Sequence, residues 1–386
     1  MKIVHVNKYF FPPHRGGVEQ SLNLLTTRLA AAGHDVSAIV SNESGQTVTE
    51  TIGGVGVTRL ARTVAFASTP VALGMAGAIG AATSGPKRAD VVHFHFPYPW
   101  GDVTWLTAGG RGPSVMTYHA DIVRQKRMLA AYAPLLRRVL DRVDRIIVGA
   151  PQIAENSPFV RPHLEKVRVV PFAIDPARFA DTAEIERRAA LLRAQRAGRR
   201  TVLFVGRLVY YKGVEVLVRA MADVDPGADL VIIGTGPLEG DLRVKAAALG
   251  ISDRLTFVPS VDDLDLAAWY HAADVFCLPS TEPSEAYGLV QLEAQLAGTP
   301  VVSTDLPTGV PFVNLDGVTG LTVPVGDAPA LATALNRLLA DDELRARLGA
   351  QALERATTEF GIEKMVTDTL DVYAEAIASH AEKARG

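Results

Sequence analysis

The sequence predicts an α/β protein built as two doubly wound domains, each a parallel sheet with helices on both faces. Three observations predict it. Short apolar runs of strand type alternate with segments of helical period along the chain. The alternation comes in two series, separated by the stretch Val170-Pro171-Phe172-Ala173-Ile174-Asp175-Pro176. The length, 386 residues, suits two domains of ordinary size, each with its own core. Apolar strands joined through helices belong in a parallel sheet buried on both sides. The domain boundary falls at 172/173.

In chain order, Lys2–Asn7 reads as the first strand, about Val18 to Ala32 as a helix closed by Gly33, and Asp35–Ser41 as the second strand. Thr63 to Thr83 carries no charge, but Pro70 and three glycines inside it favour a buried or surface helix over a membrane span. Next come the strands Asp90–His95 and Ser114–Tyr118, a long helix from about Ile122 to Asp141, and a strand at Arg145–Gly149. The second series opens with a Glu- and Arg-rich helical stretch, Asp181 to Arg200. Its strands are Thr201–Gly206, Asp229–Gly234, Arg254–Pro259, Asp274–Leu278 and Pro300–Ser303, and an amphipathic helix from about Ile362 to Ala381 follows.

Composition narrows the function. With 48% hydrophobic and 21% charged residues and a net charge of −3, the chain reads as soluble and globular, and the charge argues against general nucleic-acid binding. The single Cys277 supplies neither a disulfide framework nor a cysteine metal cluster. Residues 2–7 enter a strand directly, without signal-peptide features, so a reducing cytoplasm is the expected location.

The densest chemistry lies in Ser284-Glu285-Ala286-Tyr287-Gly288-Leu289-Val290-Gln291-Leu292-Glu293, a loop that runs into a helix at about Gly288. A helix start leaves backbone N–H groups and the positive dipole end free for an anion. Glu285 and Glu293, eight positions apart, suit hydroxyls on whatever carries that anion; the alternative is a helix-start charge and a solvated helix face. Arg207 and Lys212 stand five apart between Gly206 and Gly213 at another strand-to-helix turn. That pair suits a pyrophosphate, the guanidinium gripping two oxygens and the ammonium adding a point charge. Together these features ask for a polyhydroxylated phosphate ester.

In the first domain His14-Arg15-Gly16-Gly17-Val18-Glu19 precedes a helix, with Lys8 and Arg15 flanking the loop. Paired glycines let backbone approach a phosphate closely, or make a plain tight turn. His119, just beyond the strand ending at Tyr118, can donate to a sugar hydroxyl or serve as hydrogen-bonded structure. His93 and His95 alternate on one strand and share a face; no third ligand is evident nearby in sequence, which favours structural or acceptor-side roles over a metal. Asp223-Val224-Asp225 reads as a solvated turn and Asp263-Leu264-Asp265 as helix-start charge, so no carboxylate metal site is expected. Open parallel sheets bind ligands outside the carboxyl ends of their strands, so these strand-end groups read as one cleft lining.

The string from Pro279-Ser280-Thr281-Glu282-Pro283 through Gly298-Thr299-Pro300 to Asp316-Gly317-Val318-Thr319-Gly320-Leu321 resembles the donor-site segment of the retaining two-domain glycosyltransferases of family 4. The resemblance implies two Rossmann-like domains facing across a cleft, the GT-B fold, with the terminal helix of about 362–386 crossing back to domain 1–172 and leaving 173–361 as the nucleotide-sugar domain. It also implies roles. Gly16 and Gly17 lie against the donor diphosphate and His119 beside the donor sugar. Gly206, Arg207 and Lys212 bind the diphosphate, Val258 and Pro259 frame the base, and the Tyr287-Gly288-Leu289 turn binds the donor. Glu285 holds sugar hydroxyls and Glu293 the ribose. No cofactor or metal is implied; the nucleotide sugar is a substrate.

Within the family, Phe96-Pro97, Tyr118-His119-Ala120-Asp121 and Thr308-Gly309-Val310-Pro311 look like the branch that builds surface polysaccharides from mannosyl or rhamnosyl units. A guanosine-linked mannose or rhamnose is the first expected donor and a uridine-linked hexose the second. A nucleotide-sugar epimerase on the same architecture is a further alternative, which the Glu285/Glu293 string fits less well. Arg124, Lys126, Arg127, Arg137, Arg138, Arg142 and Arg145 make this domain locally basic, suiting a lipid-linked acceptor at a membrane surface or a merely solvated helix.

Overall fold

The structure, a computed structural model, describes residues 1–14, 16–66, 69–86, 88–108, 112–123 and 126–385, without the side chains of 66, 126 and 127. Arg15, Arg124 and the side chains of Lys126 and Arg127, all singled out in the sequence, lie outside the described residues. The chain divides into two compact units, Met1–Phe172 with Ile362–Gly386, and Ala173–Gly361.

The first unit runs β1 (Lys2–Asn7), α1 (Gly17–Ala31), β2 (Asp35–Ser41), β3 (Val48–Ile52), β4 (Val55–Leu60), β5 (Val64–Phe66), β6 (Thr69–Val71), α2 (Met75–Thr83) and β7 (Val91–Phe96). It continues through α3 (Pro99–Thr107), β8 (Ser114–Tyr118), α4 (Lys126–Arg142), β9 (Arg145–Val148), α5 (Pro151–Asn156) and β10 (Val167–Val169). Eight strands form one sheet in the order β10-β9-β8-β7-β1-β2-β4-β3. Only the β3–β4 pair is antiparallel. Every residue of β7 and β8 is buried, as central strands covered on both faces require.

Besides the short elements α3, α5 and β10, for which the sequence carries no expectation, three parts of this unit differ from what the sequence predicts. The β3–β4 hairpin turns through Gly53 and Gly54, both at positive φ, which the flanking strand twist demands of a two-residue loop. Its outer strand β3 is solvent-exposed and mostly polar, so it carries no apolar strand signal in the sequence. The uncharged segment is a helix only over Met75–Thr83; its first half forms the β5–β6 ladder, with Pro70 in β6, since proline inside a helix loses a hydrogen bond and clashes with the preceding turn. Among the described residues no helix is long and apolar enough to cross a membrane. The long helix begins at Lys126 rather than Ile122.

The second unit runs α6 (Ala183–Gln195), β11 (Arg200–Val205), α7 (Val214–Ala220), β12 (Ala228–Ile233), α8 (Glu239–Ala248), β13 (Leu255–Val258), α9 (Asp263–Ala272) and β14 (Val275–Leu278). Then follow α10 (Leu289–Leu296), β15 (Val301–Thr304), α11 (Val310–Val313), β16 (Gly320–Val323), α12 (Ala328–Ala340) and α13 (Asp342–Thr358). Its parallel sheet has the order β13-β12-β11-β14-β15-β16. The period of two along β11 divides its side chains between two cores. Val202 and Phe204 pack with Leu217 and Leu335, while Leu203 and Val205 pack with Tyr270 and Ala294. Helix starts are set by side-chain caps: Thr182 accepts from Ile185 N at 3.3 Å, Asp262 from Asp265 N at 2.7 Å, and Asp327 from Ala330 N at 2.9 Å. Asp223-Val224-Asp225 is the expected turn, with Asp225 accepting from Gly227 N at 2.6 Å.

The last helix, α14 (Ile362–Lys383), belongs to the first unit and packs on α1, β7, β8 and β9. Two charge clusters fasten it. Glu375 binds Arg145 and Arg168 at 2.8 and 2.7 Å, and the buried Asp144 receives Lys383 at 2.9 Å and His380 at 3.3 Å. Apart from the β3–β4 edge hairpin, the strand order of each unit reverses between β1 and β7 and between β11 and β14, and such reversals open the crevices where α/β sheets take ligands.

Candidate active site

In the second unit the loops after β11 and β14 meet at that reversal. Gly213 ends the first loop at φ 65°, and a Cβ there would stand 1.8 Å from the carbonyl oxygen of Pro279, so only glycine lets the two loops touch. This contact brings Lys212 to Glu285. The ammonium lies 2.6 Å from Oε2, with the two side chains 11% and 9% exposed. Ser280 Oγ donates to the same carboxylate oxygen at 3.1 Å. The loop after β15 fastens the outer side: Thr308 Oγ1 donates to Glu285 O at 2.9 Å and Gly309 N to Ala286 O at 2.7 Å. Gly206 adjoins this group, since a Cβ on it would stand 3.7 Å from Lys212 Nζ.

Arg207 is exposed and donates through Nη2 to Tyr211 Oη at 3.2 Å, while Lys212 Nζ sits 5.8 Å from the centre of the Tyr211 ring. Tyr211 therefore spaces the two cations, a part the sequence reading missed because an aromatic between two charges has no distinctive pattern. Gly288 takes φ 73° immediately before α10, and no side chain caps that helix, so its first N–H groups are left for a ligand. Leu289 is half-buried at this start, whereas the Tyr287 ring packs inward, edge-on to Phe360 at 6.4 Å. Glu293 makes no hydrogen bond to the Lys212 pair among the described residues, although the Lys212 charge acts on it. Its Oε2 accepts from Tyr270 Oη at 2.7 Å, no hydrogen bond reaches Oε1 among the described residues, and burial raises its pKa above the usual carboxylate value. Val258 ends β13, two strands from β11, where its carbonyl accepts from Gly234 N at 2.9 Å, and Pro259 beyond it is exposed.

In the first unit Gly16 and Gly17 stand at the start of α1, which also lacks a side-chain cap. His119 lies just past β8 and is buried, its Nε2 3.1 Å from His95 Nδ1 and its ring centre 5.0 Å from that of Phe172. Burial lowers its pKa to about 3, so the imidazole is neutral. The third companion of His93 and His95, not evident nearby in sequence, is supplied by the fold. His5 pairs with His93 in the β1–β7 register, and ligand atoms of all three rings lie within 4.8 Å of one another. Only the strand-order reversal puts β1 beside β7, and spacing along the chain carries no trace of it. The basic strip is also altered. Arg145 is paired with Glu375, the Arg142 guanidinium lies 5.2 Å from the centre of the Trp105 ring and that of Arg137 5.8 Å from that of Phe159.

Two units of this topology, the second carrying a cation–carboxylate pair and an uncapped helix start at its reversal point, define a glycosyltransferase of the GT-B type. Residues 15–178 match the family described as Glycosyltransferase Family 4, and residues 192–355 that described as Glycosyl transferases group 1. The chain is 33% identical to the D-rhamnosyltransferase WbpZ of Pseudomonas aeruginosa, over 92% of this chain and 91% of that one. It is 30% identical to the O-antigen chain mannosyltransferase C of Escherichia coli, over 98% and 100% of the two chains. Among solved structures it resembles sucrose-phosphate synthase of Thermosynechococcus elongatus, with a TM-score of 0.80, 25% identity and coverage of 98% and 99%. The chain belongs to the family 4 glycosyltransferases.

Proposed function

We propose that the chain transfers a hexose, with retention at the anomeric carbon, from a nucleoside diphosphate donor to a glycan or lipid-linked acceptor. The observation that carries this reading is the Lys212–Glu285 pair, a cation and a sugar-gripping carboxylate held 2.6 Å apart beside an uncapped helix start. The bond from the anomeric carbon to the β-phosphate oxygen breaks, and charge grows on the phosphate where Lys212, Arg207 and the amides following Gly288 stabilise it. The acceptor oxygen bonds to the same face of that carbon, and its proton passes to the departing phosphate. Glu285 accepts from sugar hydroxyls, Oε1 of Glu293 from the ribose, and His119 donates to the sugar. Gly16 and Gly17 give backbone N–H groups to the diphosphate, and Val258 and Pro259 face the base. The chemistry asks for no metal, since these cations and amides already meet the leaving charge.

The relatives' names, a rhamnosyltransferase and an O-antigen mannosyltransferase, support mannose or rhamnose as the transferred sugar, and a guanosine diphosphate carrier is the first donor to test. A panel of nucleotide sugars, assayed for nucleoside diphosphate release with glycan and with lipid-linked acceptors, tests the reading. Release is expected only with acceptor present and fastest with the guanosine-linked sugars; faster turnover of a uridine-linked hexose would replace the donor. Conversion of donor without any acceptor would make the chain an epimerase.

A further inference from the structure

The transfer reading leaves a line of buried imidazoles in the first unit without a role. His5 on β1 and His93 and His95 on β7 share one face of the sheet, their ring centres 4.4 to 5.4 Å apart. The hydrogen bonds run in one path. His119 Nε2 meets His95 Nδ1 at 3.1 Å, and His95 Nε2 meets His5 Nδ1 at 3.1 Å. His5 Nε2 lies 3.5 Å from Tyr373 Oη on α14, the longest link, and Tyr373 Oη lies 2.7 Å from His93 Nδ1. His93 Nε2 ends the path on Thr117 Oγ1 at 2.6 Å. All six side chains are buried, none more than 7% exposed. Both nitrogens of His5, His93 and His95 are thereby engaged, so a metal on this trio would displace existing partners.

A neutral imidazole has one N–H and one bare nitrogen, so each ring's tautomer dictates that of the next. If His93 Nε2 donated to Thr117, the buried hydroxyl hydrogen of Thr117 would find no acceptor among the described residues, an unfavourable end for a closed-off donor. The opposite polarity pairs every donor along the path except the terminal His119 Nδ1–H, which is left for water or a ligand. Thr117 donates to His93 Nε2, His93 Nδ1–H to Tyr373, Tyr373 to His5 Nε2, His5 Nδ1–H to His95 Nε2, and His95 Nδ1–H to His119 Nε2. Burial lowers the pKa of all four imidazoles, which keeps them in the neutral form that this relay needs.

We propose that Tyr373 is a positioning residue: acting through His5 and His95, it holds His119 as the Nδ1–H tautomer, a fixed donor to a hydroxyl of the transferred sugar. The inference rests on the reading of His119 as a sugar-facing residue, and Nδ1 is the one His119 nitrogen the path leaves for a ligand. Tyrosine is the one member of the path between His5 and His93 whose hydroxyl can be removed with the ring kept in place.

The test compares the full chain with its Tyr373→Phe variant, both labelled with nitrogen-15 at histidine. Magnetic resonance of the wild type is expected to show His119 as a single Nδ1–H tautomer, and the variant a mixture of both. Turnover of the variant is expected to fall about fivefold with the donor KM within about twofold, the size of one mispositioned hydrogen bond. Combined with His119→Ala, the Tyr373→Phe change is expected to cost no further turnover. An unchanged tautomer in Tyr373→Phe overturns the relay. A changed tautomer with unchanged turnover leaves the relay standing and removes His119 from the sugar. One equivalent of zinc retained by the purified chain and lost in His93→Asn would make the trio a metal site and also overturn the inference.

Discussion

Lys212 and Glu285 are each nearly closed from water, and each is the other's counter-charge. Removing one strands a buried ion, which typically costs about 3–5 kcal/mol, whereas removing both strands nothing. Lys212→Ala and Glu285→Ala are therefore each expected to lower the urea midpoint of the second unit, and the double variant to recover most of the loss. All three are expected to lose transferase turnover. A double variant as unstable as the sum of the singles would show that the pair is not coupled. Arg207 is exposed and, among the described residues, has a single neutral partner in Tyr211, so Arg207→Lys is expected to shift stability by no more than about 0.5 kcal/mol. Turnover should still fall, since an ammonium cannot grip two phosphate oxygens as a planar guanidinium does; turnover at the wild-type level would remove Arg207 from the diphosphate. The residue types of this site were legible from their spacing, but the contact between Lys212 and Glu285 was not. It joins loops after β11 and β14, which become neighbours only through the order of the sheet.

At the level of elements, Gly213 does two things at once: it terminates the turn of Tyr210–Lys212 in the left-handed region and lets Pro279 O approach. Gly213→Ala meets both the left-handed penalty of about 1–2 kcal/mol and a backbone collision, so a loss above about 2 kcal/mol is expected, with weakened donor binding. Wild-type melting and donor affinity in that variant would contradict the contact. Helices were legible where charge marked them, as in the Glu- and Arg-rich stretch Asp181 to Arg200 and at Asp263-Leu264-Asp265. The hairpin from Val48 to Leu60 was not, because its outer strand is polar and its glycine turn resembles an ordinary loop. Helical reading of Val64–Val71 failed for a related reason: an uncharged, alanine-rich run has no period to separate strand from helix, and only Pro70 argued against it.

Across the whole molecule, the four linked histidines set a pH dependence. Burial pushes His5 and His119 down to about 3, and burial followed by repulsion from the neighbouring imidazoles pushes His93 and His95 well below the ordinary 6.5. The unfolded chain takes up these protons below about pH 6.5 while the folded unit does not, so stability is fully present above that pH and falls as pH drops. Four sites together approach a slope of about 5 kcal/mol per pH unit, enough to exhaust a typical domain within two units. Amide exchange is expected to show the first unit losing protection near about pH 5, ahead of the second. Simultaneous loss in both units would sink this. The division into two parallel-sheet units was legible because the alternation of strand and helix signals repeats; the histidine line was not, since it assembles residues from three strands and the final helix.

That final helix carries a consequence for synthesis. Domains near the amino terminus usually finish folding first as the chain leaves the ribosome. Here α14 emerges behind the whole of the second unit, yet its Met365, Val366, Val372 and Tyr373 are buried in the first. The earlier-made sheet must wait, one face still bare, while the later-made unit reaches completion. Nascent chains arrested just after Gly361 should thus resist protease over Ala173–Gly361 and be cut within Met1–Phe172.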